Sequence, residues 1–112
     1  MSALETAVRV IIDLLVRGQF DTVERVTGGR RLSAERLAEI IASYGRTLVA
    51  SGDDWWDTVE VTPIDAGDRG AFHVAAPLWT EEEGRSDLTV ELRLIESATQ
   101  VYEAEVLDIH VL

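Results

Sequence analysis

The sequence predicts an α+β fold: two to three N-terminal helices packed on a curved, four-stranded antiparallel meander sheet. Apolar residues recur at helical spacing as far as Tyr44, and from about Thr58 onward they alternate with polar ones. The links between the alternating segments are short, which makes sequential strands antiparallel neighbours. A length of 112 residues suits one domain with a core of its own, so residues 1–112 are read as a single domain.

Ser2-Ala3-Leu4-Glu5 forms a capping box, in which the serine oxygen takes an orphan N–H and the glutamate reaches back. Leu4, Val8, Ile11, Ile12, Leu15 and Val16 then make one apolar stripe, and Gly18 supplies the left-handed residue that ends the helix. A short second helix is expected over 21–26, with Asp21 as N-cap and Phe20 before it as a hydrophobic staple. Ser33 caps a third helix with Leu37, Ile40, Ile41 and Tyr44 on its apolar face, closed by Gly45.

Strands are expected over 58–64, 71–80, 87–96 and 101–111. Phe72, Val74, Ala76 and Leu78 face inward, as do Leu88, Val90, Leu92 and Leu94. The last strand changes phase. Tyr102, Ala104 and Val106 are its first apolar set, and Leu107, Ile109 and Val111 its second. A strand changes face only by gaining a residue, which predicts a β-bulge near Val106-Leu107 or a strong bend.

Ten arginines against 21 acids give a net charge of −11. Such a polyanion is repelled by nucleic acid and anionic membranes and attracted to a basic protein or cationic ligand. Simple solubility accounts for the charge equally well and is the preferred reading. The chain has no cysteine, which excludes disulfides, thiolate metal sites and cysteine nucleophiles. Lysine and asparagine are also absent, a usage suited to a GC-rich bacterial genome. The start lacks a basic leader region, and the apolar run 8–16 is broken by Arg9 and Asp13. A soluble cytoplasmic domain is therefore expected.

Few residues carry chemistry. Asp108 and His110 stand two apart on a strand and so share a face, as a metal site or an acid–base pair requires. Two ligands do not make a site, and a polar strand edge is the preferred reading; no metal and no cofactor are assigned. Glu60, Glu91, Glu103 and Glu105 fall on the outward face of the sheet with His73, Trp79 and Arg93. Clustered carboxylates there could raise one another's pKa and act as a general acid or base, but a solvated face is the preferred reading, and docking of a basic partner is the weaker claim that survives. In Asp53-Asp54-Trp55-Trp56-Asp57 one tryptophan should plug the core and the other lie beside the aspartates. Glu81-Glu82-Glu83-Gly84-Arg85 reads as a solvated hairpin tip, since it lacks the alternating ligands of a calcium loop. Gly28-Gly29-Arg30-Arg31 precedes a helix and could hold an anion, but a turn between helices explains the glycines. No serine sits in a nucleophile elbow, so no catalytic residue is assigned.

Leu15-Val16-Arg17-Gly18-Gln19-Phe20-Asp21-Thr22-Val23, followed by Leu32-Ser33-Ala34-Glu35-Arg36-Leu37 and Tyr44-Gly45, resembles the opening of a nuclear-transport-factor-2-like (SnoaL-like) domain. The stretch from Pro77 to Leu88 is similar to a small uncharacterised bacterial domain family. The resemblance implies a cone-shaped, cystatin/SnoaL-like sheet curved around helices, with a cavity at its wide end. The strand pair usual between the second and third helices has no room in Gly28-Gly29-Arg30-Arg31-Leu32. Two functional readings follow. The first is a non-catalytic protein-interaction or ligand-binding module using the acidic face. The alternative is a small-molecule binder or enzyme using the cavity between helices and sheet, lined by Tyr44, Trp55, Trp56, Phe72 and Tyr102. A homodimer through the outer face ranks lower, because like charges would meet across the twofold axis.

Overall fold

A computed structural model of the chain describes residues 2–29 and 31–112. Three helices come first: α1 (Ala3–Val16), α2 (Phe20–Thr27) and α3 (Ala34–Tyr44). Ser2 Oγ accepts the Glu5 amide at 3.1 Å, and Ser33 Oγ accepts that of Arg36 at 3.2 Å, so both expected serine caps form. α2 starts one residue before the expected position. The Gln19 amide donates to the Leu14 carbonyl at 2.9 Å, which closes the α1–α2 turn tightly and brings Phe20 into the helix. Asp21 therefore is not the cap; it lies in the first turn, where its charge complements the helix dipole. Gly28 and Gly45 end α2 and α3 at φ of 76° and 74°, a conformation only glycine takes at little cost.

The strands are β1 (Leu48–Val49), β2 (Glu60–Pro63), β3 (Ala71–Thr80), β4 (Gly84–Ala98) and β5 (Val101–Val111). All pairings are antiparallel. β3, β4 and β5 form the meander, while β1 and β2 share the other edge of β3. Two features depart from the sequence expectation. β1 is a fifth, two-residue strand, and β2 is shorter than 58–64 because Trp55–Thr58 forms a 3-10 helix. Thr58 Oγ1 donates to the Trp55 carbonyl at 2.6 Å and holds that turn closed. Pro77 falls between the stretches of β3 paired by β2 and β1, at a register shift, where a residue without an N–H is tolerated.

The helices cover one face of the sheet. Val8, Ile11, Ile12, Leu15, Val23 and Leu37 meet Val74, Ala76, Leu78, Leu88, Val90, Leu92, Leu94, Val106 and Ile109 in one buried cluster. The hairpin tip is exposed, as expected, but two of its carboxylates are engaged. Glu82 accepts the Thr47 amide at 2.9 Å, and Glu83 accepts the Tyr44 hydroxyl at 2.8 Å. These two carboxylates fasten the β3–β4 tip to the end of α3 and the start of β1. The Thr47 amide holds the Glu82 carboxyl below its usual range, and the Glu83 carboxylate raises the Tyr44 phenol.

The expected bulge is present. Val106 pairs with Leu92 and Asp108 with Glu91, so Leu107 has no counterpart on β4. Val106 and Ile109 consequently both point inward and are buried. Deleting Leu107 would remove the bulge and leave Val106 and Ile109 inward and Asp108 and His110 outward, because the residues on either side keep their partners on β4. The deletion is therefore expected to cost only about 1 kcal/mol. Ile109→Ala, which empties a buried inward position, is expected to cost about 2–5 kcal/mol. Urea unfolding midpoints of the two variants check this; a deletion as costly as Ile109→Ala would mean that Leu107 does more than reconcile the two apolar sets.

Candidate functional site

On the outer face, away from the helices, small residues leave room between large polar ones. β3 contributes His73, Ala75 and Pro77; β4 contributes Thr89 and Glu91; β5 contributes His110. Glu91 stands opposite Ala75 on one side and Asp108 on the other. His73 and His110 are its diagonal neighbours, within reach of long side chains. His73 Nε2 lies 2.9 Å from Glu91 Oε1, and His110 Nε2 lies 2.5 Å from Glu91 Oε2. One carboxylate thus faces two imidazoles, one through each oxygen. All three side chains are half-buried, at 33%, 28% and 34% exposure for His73, Glu91 and His110, so solvent screens them only in part.

These residues line a concavity of about 380 Å³ with Glu60, Arg85 and Asp87 at its margin and Thr58, Ser86 and Leu112 completing it. Asp108 is exposed beside it, with one oxygen accepting the Ile109 amide at 2.9 Å. A ligand atom from each of Glu91, Asp108 and His110 lies within 4.8 Å of the other two. Pairing continues to the end of β5, where the Leu112 amide donates to the Asp87 carbonyl at 3.0 Å. His110 is raised above its ordinary pKa chiefly by its hydrogen bond to Glu91, against the opposing effect of burial. The same bond, more than the one from His73, lowers the Glu91 carboxyl.

A family model described as a domain of unknown function, DUF7668, matches residues 12–112. The chain belongs to this family. No curated protein matches the chain, and no solved structure does. The DUF7668 match spans every residue of the outer-face site.

The remaining candidates from the sequence are dispersed across this DUF7668 chain. Glu105 accepts Arg93 at 3.2 Å and lies 3.5 Å from Arg31, so two guanidinium groups compensate it. Arg93, Glu103 and Glu105 border a separate opening of about 300 Å³ between the end of α2 and β5. Among the described residues, Glu60 and Glu103 make no ion pair. Trp79 packs against the core cluster and does not line the concavity. Trp55 is buried, with Arg9 5.0 Å above its ring. Trp56 is half-buried and meets Trp55 edge-on at 5.2 Å, so it is less exposed than expected. Phe72 and Tyr102 pair at 6.3 Å. Tyr44 borders a shallow opening by α3 and β5; Trp55, Trp56, Phe72 and Tyr102 line none of these three openings. Arg30 lies outside the described residues. At the start of α3 the Ala34 amide donates to Glu24 at 3.2 Å, so a protein carboxylate already occupies that donor.

Sequence reasoning placed His73 and Glu91 on one face but missed Glu91 as their hub with His110. The signal was present in the phase change of β5: an extra residue before Asp108 moves Asp108 and His110 to the face of Glu105.

The pH dependence follows from the two shifts. His110, raised above 6.5, contributes stability that is full below 6.5 and lost as pH rises through its folded value. Glu91, lowered from 4.5, contributes stability present above 4.5 and lost as pH falls through its folded value. The contact is therefore most stabilising between about 4.5 and 6.5. NMR titration should place the His110 ring midpoint above 6.5, and Glu91→Gln should move it back down. A midpoint indifferent to that substitution would show that the two side chains do not meet in solution.

Proposed function

We propose that this chain is a ligand-binding module without chemistry of its own, and that its site is the outer-face concavity. The observation that carries the reading is the convergence of His73, Glu91 and His110 over a floor of small residues. Thr89 in that floor is only 3% exposed although no residue of α1, α2 or α3 lines the concavity. Carboxylates of Glu60, Asp87 and Glu91 against the single guanidinium of Arg85 favour a cationic ligand, such as a basic protein segment. The net charge of −11 works in the same direction at long range.

Helices followed by an antiparallel sheet also suit the nuclear-transport-factor-2-like resemblance, and we read the chain as a shortened bacterial relative of that superfamily acting in the cytoplasm. The apolar cluster between helices and sheet supports a site on the outer face over one in the interior.

Titration with a short oligo-arginine peptide at low salt, followed by amide chemical shifts, tests the site. Shifts should concentrate on β3, β4 and β5 around His73, Glu91 and His110, and weaken about tenfold or more in a Glu60→Gln/Glu91→Gln variant. Shifts scattered over the whole acidic surface would reject the reading.

A further inference from the structure

We infer that the edge of this concavity on the β5 side binds a divalent transition-metal ion of the zinc class through Glu91, Asp108 and His110, with His73 as the positioning residue behind Glu91. The inference rests on reading the outer face as a binding site and names a cation held at its edge. Its basis is the geometry of the donors. A carboxylate oxygen of Glu91, one of Asp108 and an imidazole nitrogen of His110 converge from two adjacent strands within 4.8 Å of one another. A tetrahedral zinc with bonds of about 2.0–2.1 Å needs its ligand atoms roughly 3.4 Å apart. The Glu91–Asp108 and Thr89–His110 pairs fix the backbone positions, so the donors close to that spacing on the ion by side-chain rotation.

The surrounding groups complete the arrangement. Asp108 Oδ1 is held by the Ile109 amide, which orients the carboxylate and leaves its other oxygen for the ion. His73 Nε2 holds Glu91 Oε1 at 2.9 Å and leaves Oε2 to face His110. Such outer hydrogen bonds orient metal ligands and tune their basicity. The ion takes the place of the proton between His110 Nε2 and Glu91 Oε2. The remaining ring proton then resides on Nδ1, where the Val111 carbonyl lies 3.5 Å away and can accept it after a small closure. One imidazole and two carboxylates, without thiolate, select zinc, cobalt or nickel over soft Cu(I), and the imidazole disfavours calcium and magnesium. Three protein ligands leave a fourth position for water or an incoming donor atom.

Titration calorimetry of the full chain with Zn2+, and visible absorption with Co2+, test the inference. One equivalent should bind, with intense tetrahedral cobalt bands, while Mg2+ and Ca2+ give no heat. His110→Gln and Asp108→Asn should each weaken Zn2+ binding by more than tenfold. Asp108→Asn keeps the oxygen that accepts the Ile109 amide, and Asp108 is exposed, so the fold is retained for a fair comparison. His73→Gln should weaken binding by about tenfold without changing the cobalt spectrum, as an outer-shell partner does. Absence of Zn2+ binding, or binding undiminished in His110→Gln and Asp108→Asn, overturns the inference. If Zn2+ fails while oligo-arginine still shifts the concavity, the metal alone is wrong. If neither probe perturbs it, the binding site falls as well.

Discussion

The inserted residue at Leu107 is the constraint from which the sheet and its outer face both follow. β4 alternates without interruption, with Leu88, Val90, Leu92 and Leu94 all buried, and it serves as the template for β5. β5 carries two apolar sets of opposite parity, one ending at Val106 and the other beginning after it. With strict alternation, either Val106 or Ile109 would face water. One unpaired residue reconciles them, and both are buried to within 3%. The same insertion carries Asp108 and His110 from inward to outward parity, opposite Glu91 and Thr89. Core packing and the assembly of the polar site are therefore consequences of one local event in the strand.

Elements that depend on their own residues were legible in the sequence. The serine caps, the glycine stops, the alternation of β3 and β4, and the phase change of β5 are all written within a few positions. What escaped reading depends on contacts between distant segments. β1 exists because Leu48 and Val49 meet Trp79 and Thr80. Glu82 and Glu83 look like solvent-facing acids, yet their partners lie some 35 and 39 residues away in Thr47 and Tyr44. At the site, shared parity placed His73 with Glu91. Recognising Glu91 as the junction of two histidines required the exact register of three strands, which a pattern of apolar positions does not set.

Part of the chain's negative charge is committed to the fold. Glu24 holds the first amide of α3, Glu82 and Glu83 fasten the hairpin tip, and Glu105 lies between Arg31 and Arg93. Arginine suits this last role because its rigid fork meets carboxylates at a defined geometry. The acidic face thus divides into an Arg–Glu zone near α2, where charge is compensated by arginine, and a His–Glu zone near Asp108. Only in the second are the partners of the carboxylate imidazoles.

That difference matters for how substitutions at the site should be interpreted. A half-exposed pair such as His110 and Glu91 contributes about 0–1 kcal/mol to folding. One large buried aliphatic residue contributes several times as much, and the core cluster contains 16 buried residues. The fold therefore does not depend on the three polar side chains. Their convergence over Ala75 and Thr89 has little value as a stabilising device, because a polar strand edge would serve equally well with the carboxylate turned to water. The arrangement does supply a carboxylate oriented by one imidazole toward another, beside a second carboxylate fixed by its neighbouring amide. Such mutual orientation lowers the entropy lost when a cation is gripped, which is the usual advantage of preorganised donors.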